Sequence, residues 1–191
     1  MQTNFIIFDR KIRDMIELRA AQLSDAPAIA SLHAKSWQQT YRGIFSDHFL
    51  DNEVEDERAQ VWHQRLAFPD ARQRVTVAEL DGKLIGFACI LLDDDSTYGT
   101  LLDNLHVADG FRNTGVGKQL MQRAARYISR EARNSKMYLW VYVKNTNAVK
   151  VYDRVGGKNV ETVEKDNEDG QTAAAHRYVW QDVAVLISPS G

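Results

Sequence analysis

The chain has 191 residues, of which 44% are hydrophobic and 26% charged, with a formal net charge of −2. That describes one domain with enough chain to bury a sizeable core, and the charge argues against a nucleic-acid binder working through gross positive charge. No apolar run reaches the roughly 18 to 20 residues that a membrane span needs, and residues 1–14 are too charged for a signal peptide, so a cytoplasmic protein is expected.

Residues 1–14 fit the pattern that follows poorly. They read as an N-terminal extension, with Met15 as an alternative start, ahead of a single domain over residues 15–187. Residues 16–19 alternate like a short strand. Ser24 is placed as an N-cap with Asp25 in the first turn, and Ile29, Leu32, His33 and Trp37 then recur at helical spacing up to Gly43. A second helical stretch is expected over residues 46–66, broken near Asn52. Residues 74–80 and 83–92 read as strands joined by the hairpin turn Asp81-Gly82, with Asp93 to Asp95 closing the second. The single cysteine, Cys89, lies inside that apolar run and is read as a small buried hydrophobe.

Residues 100–107 form the next expected strand, followed by a glycine-containing loop and an amphipathic helix over residues 115–131. Residues 137–143 read as a strand and 147–154 as a short helix ended by Gly156-Gly157. Two strands, 160–165 and 174–185, close the chain. This order predicts an α/β (α+β) fold, a mixed and mostly antiparallel sheet with helices on both faces.

The loop Arg112-Asn113-Thr114-Gly115-Val116-Gly117-Lys118 carries the first chemical signal. Its glycines let successive amides point into one concavity, and the helix start adds unpaired N–H groups and a positive dipole end, which together favour a phosphate. Two familiar phosphate loops fail on inspection. A P-loop requires glycine where Arg112 stands and Ser or Thr where Gln119 stands, and the dinucleotide fingerprint requires a small residue where Leu120 stands.

The remaining pattern, Arg-x-x-Gly-x-Gly after the strand L-D-N-L-H-V, resembles motif A of the GNAT N-acetyltransferase superfamily. Asn145, Ala148, Tyr152 and Gly156 fall on the N-x-x-A-x-x-x-Y-x-x-x-G spacing of its motif B. Asp109 stands where the family often has proline, Asn113 where it often has glycine, and Gly157 where an aromatic is usual. The resemblance implies the GNAT fold and acetyl-CoA as co-substrate. It implies that amides of residues 113–118, with the charges of Arg112 and Lys118, hold the pyrophosphate. Leu105, His106 and Val107 would pair by backbone with the pantetheine arm and polarise the thioester carbonyl. Asn145 and Ala148 would adjoin that arm, and Tyr152 would act on the departing thiolate.

The acceptor side is less determined. Trp37 and Tyr41, in the run S-W-x-x-T-Y-x-G, resemble residues that wall the acceptor pocket in small bacterial members; core packing is the equal alternative. Asp103 and His106 are three apart on a strand, so only one faces the acceptor unless a bulge intervenes. No general base is assigned, since the resemblance also allows proton loss through water. The five histidines show no short metal-ligand spacing, and no metal is expected. The acceptor implied is a primary amine of a small molecule or peptide, attacked directly, with neither nucleic acid nor membrane as partner and homodimer formation left open. A non-catalytic acyl-CoA-binding or regulatory module on the same fold is the alternative.

Overall fold

A computed structural model describes residues 15–187; the expected extension over residues 1–14 lies outside the described residues. The strands are β1 (Glu17–Ala20), β2 (Gln73–Leu80), β3 (Lys83–Asp95), β4 (Gly99–Val107), β5 (Met137–Tyr142), β6 (Lys158–Asp166) and β7 (Thr172–Trp180). The helices are α1 (Ala26–Thr40), α2 (Asp47–Asn52), α3 (Val54–Ala67), α4 (Val116–Glu131), α5 (Thr146–Arg154) and α6 (Ala184–Ile187). The sheet runs β1-β2-β3-β4-β5-β7-β6, and every neighbouring pair is antiparallel except β4 with β5.

Chain chemistry accounts for the main elements. Asp81 and Gly82 both take positive φ, 51° and 73°, which is the turn that matches the twist of a two-residue hairpin. β3 sends Ala88, Ile90 and Leu92 to one core and Phe87 and Cys89 to another, so both of its faces are covered and its sequence reads as one apolar run. On the first face Val116, Leu120, Met121, Ala124, Ala125 and Ile128 form the apolar stripe of α4. On the other face α1 and α3 bring Ala26, Ile29, Ala30 and Trp62.

Three expected boundaries move. Asp25, not Ser24, is the N-cap of α1; its Oδ2 accepts from the Gln22 amide at 2.7 Å and closes a short 3-10 turn over Leu23–Asp25, and both carboxylate oxygens take Arg19. β3 continues through Asp93 to Asp95, where Asp95 Oδ1 accepts from the amides of Thr97 and Tyr98. The expected strand 174–185 stops at Trp180, because Asp182 accepts from the Ala184 amide at 2.9 Å and starts α6, whose Leu186 is buried. Gly157 departs from the motif for a packing reason. A Cβ there would stand 2.7 Å from Trp180 Cζ2 and 3.0 Å from Tyr178 Cδ1, so aromatic rings already fill that space.

Candidate functional site

The site begins where the sheet fails to close. β4 and β5 pair only at Thr100 with Met137 and Leu101 with Tyr138. Beyond these two pairs the strands part, and the edge of β4 that faces β5 has no strand partner over residues 103–107. Backbone N–H and C=O groups left this way need another partner. An extended chain bearing its own amides fits such an edge, and the pantetheine arm of acetyl-CoA has that character.

A bulge lies at the mouth of the wedge. Cys89 pairs with Asn104 and Ile90 with Leu102, so Asp103 has no partner on β3. The extra residue resets the alternation, and Asp103 and His106 line the same cleft instead of opposite faces of the sheet.

At the far end of β4 the chain turns through Phe111 into α4. Asn113 (φ 64°) and Gly115 (φ 93°) take left-handed backbone, and Thr114 Oγ1 donates to the Phe111 carbonyl at 2.7 Å. Asparagine tolerates that conformation better than other side chains, so the loop keeps its path without the family's glycine. Gly115 is the N-cap, and helix geometry leaves the amides of Val116 and Gly117 without intrahelical acceptors. A Cβ on Gly117 would meet only Val107 Cγ2, at 3.7 Å. Lys118 follows in the first turn of α4. Arg112 reaches across to α1, donating to Gln39 Oε1 at 3.0 Å, with Asp109 3.4 Å from its other terminal nitrogen.

α5 supplies the opposite wall. Asn145 caps it, its Oδ1 accepting from the Ala148 amide at 3.2 Å. Ala148 and Tyr152 are half-buried against the core. The Tyr152 ring meets Trp180 edge-on at 6.0 Å, and its hydroxyl makes no hydrogen bond among the described residues. Burial pushes the phenol above its usual range, with a further push from Tyr41.

Trp37 and Tyr41 share one face of α1, their ring centroids 5.6 Å apart, and both line a cleft of about 690 Å³ beside the wedge. Trp37 also packs in the core at 7% exposure. The sequence reading missed the charged wall. Arg58 of α3 lies over the Trp37 ring at 4.3 Å and pairs closely with Glu57. Arg65 donates to Asp103 at 2.5 Å and to Asn104 Oδ1 at 3.2 Å. The spacing of seven between these arginines is a helical-face signal that was available. Tyr142 and Lys165 were also missed; the Tyr142 hydroxyl donates to Asn167 Oδ1 at 2.8 Å, and Asn167 donates to the Ile44 carbonyl.

His106 is not poised to titrate near neutrality. Burial lowers its pKa to about 3, helped by the charges of Arg58 and Arg112, and its Nδ1 bonds Ser36 Oγ at 2.9 Å. His33, 4.4 Å away between ring centroids, is wholly buried and lowered chiefly by burial. Its Nδ1 accepts from Trp62 Nε1 at 2.9 Å, so Nε2 carries the proton and has no acceptor. Both rings are neutral when folded, while the unfolded chain protonates them below about 6.5. The unfolded state therefore binds more protons as pH falls, so stability is full above about 6.5 and is lost on acidification toward 3. Melting temperature is expected to fall between pH 7 and 5, before most carboxylates titrate. The fall should be shallower in His33→Phe; an equal slope in wild type and variant would contradict the assignment.

Comparisons with known proteins fit this geometry. The profile of the acetyltransferase (GNAT) family matches residues 33–157. A Mycobacterium tuberculosis protein described as a probable N-acetyltransferase is 27% identical over 143 residues, covering 73% of this chain and 78% of its own. The PaiA N-acetyltransferase of Thermoplasma acidophilum, solved in complex with coenzyme A, superposes with a TM-score of 0.66 at 19% identity, covering 85% and 99% of the two chains. Salmonella typhimurium YncA, solved with its cofactor acetyl-CoA, gives 0.62 at 18% identity, covering 92% and 96%. The chain belongs to the GNAT acetyltransferase family. It is an N-acetyltransferase. Among the described residues no helix is long and apolar enough to cross a membrane.

Proposed function

We propose that this N-acetyltransferase moves the acetyl group of acetyl-CoA onto a primary amine of a small molecule or peptide by direct attack. The observation that carries the reading is the wedge between β4 and β5, where the free edge of β4 runs from the 690 Å³ cleft at Asp103 and His106 toward the loop that starts α4. Acetyl-CoA supplies the activated acyl group. The amides of residues 113–118, with Arg112 and Lys118, hold its pyrophosphate, and the β4 edge at Leu105, His106 and Val107 receives the pantetheine arm and polarises the thioester carbonyl. Asn145 and Ala148 shape the opposite side of that arm.

The acceptor enters past Trp37, Tyr41 and Asp103. Its nitrogen forms the new C–N bond as the C–S bond breaks and loses its proton to water, and Tyr152 meets the charge that develops on sulfur. A thiol titrates near 8.5 and a phenol near 10 or above, so Tyr152, raised further by burial, serves as a hydrogen-bond donor to the thiolate more readily than as its full acid.

A panel of amines offered with acetyl-CoA, read by release of free coenzyme thiol, tests the reading. Amine-dependent release is expected with at least one class of acceptor. Binding of acetyl-CoA without release on any amine would leave the chain a binding module.

A further inference from the structure

The charges of the cleft do not cancel evenly. Arg58 is matched by Glu57 and, at 3.8 Å, by Glu168, and Arg65 is matched by Asp103. Each acidic group on the inner wall is thereby held by a guanidinium of α3. Asp166 also reaches the cleft, but it is exposed at the rim and solvated. Lys165 is different. It lines the same cleft from β6, half-buried, and makes no ion pair or hydrogen bond among the described residues. It lies over the face of Trp140, with Nζ 4.4 Å from the ring centroid.

Trp140 is further loaded by Arg177, whose guanidinium lies 4.5 Å from the same ring and 2.8 Å from Glu161. Burial and the charge of Arg177 lower the Lys165 pKa and outweigh the opposing pull of Asp103 and Glu168, so the ammonium sits where a closer counter-charge is wanted. An unpaired ammonium in a half-buried wall is costly unless a partner arrives. A charge-assisted hydrogen bond to a carboxylate supplies one. Asp103, at the mouth of the wedge, lines the same cleft as Lys165, so one small molecule held in the cleft meets both residues.

We infer that the amine acceptor of this enzyme carries a carboxylate, received by Lys165 Nζ against Trp140 while the amine lies near Asp103. The acceptor class is then amino acids or short peptides with a free carboxylate, rather than polyamines, whose second ammonium would meet the like charge of Lys165. This rests on the acetyl-transfer reading above and narrows it.

The test uses the full chain with acetyl-CoA, L-amino acids and their carboxamides as matched pairs, and coenzyme release as the readout. The measured quantity is the ratio of kcat/KM for each acid to that for its amide, in wild type and in Lys165→Met. The two amines differ in basicity, but that difference cancels when the ratio is compared between enzymes. A charged hydrogen bond of ordinary strength predicts that the ratio falls by about tenfold to a hundredfold in Lys165→Met and is largely regained in Lys165→Arg. An unchanged ratio, with the variant's melting temperature intact, overturns the inference. Turnover confined to amines without a carboxylate overturns it too and leaves acetyl transfer standing. No turnover on any amine would remove the parent reading and this inference together.

Discussion

Tyr152→Phe is expected to lower kcat by about 10²- to 10³-fold, the range for losing an acid or a donor to developing charge, with the affinity for acetyl-CoA nearly unchanged. The hydroxyl has no hydrogen-bond partner among the described residues, so its removal orphans no buried group. The ring keeps its contacts with Tyr178 and Trp180 in the phenylalanine variant, and the melting temperature should stay within about a degree of wild type. Steady-state kinetics with a competent amine decide the matter, because an interaction made only in the transition state lowers kcat and kcat/KM together. Wild-type kcat in the variant would reduce Tyr152 to a packing residue.

The second large effect belongs to the α4 loop. Acetyl-CoA at about a hundred times its Kd is expected to stabilise the native state by about 2.7 kcal/mol, a rise of several degrees for a chain of this size. Gly115→Val should abolish that rise. At φ 93° a β-branched residue is badly strained, so the turn that aims the amides cannot be kept. Gly117→Val provides the control for folding: its Cβ meets only Val107 Cγ2 at 3.7 Å, so the fold accepts it while the side chain crowds the concavity. Differential scanning fluorimetry reads both. An undiminished rise in the two variants would place the pyrophosphate elsewhere.

The parts of the molecule that announced themselves in the sequence are those fixed by local chemistry. The Asp81-Gly82 hairpin, the glycines around α4 and the Asn145 cap each state a backbone requirement within a few residues. The order of elements followed from them, and so did the mixed sheet. What stayed hidden depends on distant partners. The bulge at Asp103 exists only in the register with β3 and has no signature within β4, so the choice posed between Asp103 and His106 dissolves once both line the cleft. His106 carries the residue type suited to proton transfer, yet burial, helped by the charges of Arg58 and Arg112, lowers its pKa to about 3 and makes it a weak base. Lys165 sits in a polar strand of the edge, and nothing in residues 158–166 indicates that it lies over Trp140, two strands inward. Ser24 is the expected cap of α1, but Asp25 holds that place, its carboxylate taken by Arg19 six residues earlier.

The two residue pairs that join β4 to β5 set a limit on how this enzyme can be made sturdier. Strands that run parallel and adjacent would ordinarily continue their ladder, and each further pair across residues 102–107 and 139–142 would add cohesion between the halves of the sheet. Continuing it would also fill the gap proposed to receive the acyl donor. Selection for heat tolerance alone would favour sequences that zip the wedge shut, and those proteins would be firmer and inert. Stabilising changes compatible with turnover therefore belong away from this seam, in the α1–α3 layer, the β2–β3 hairpin and the packing of α4.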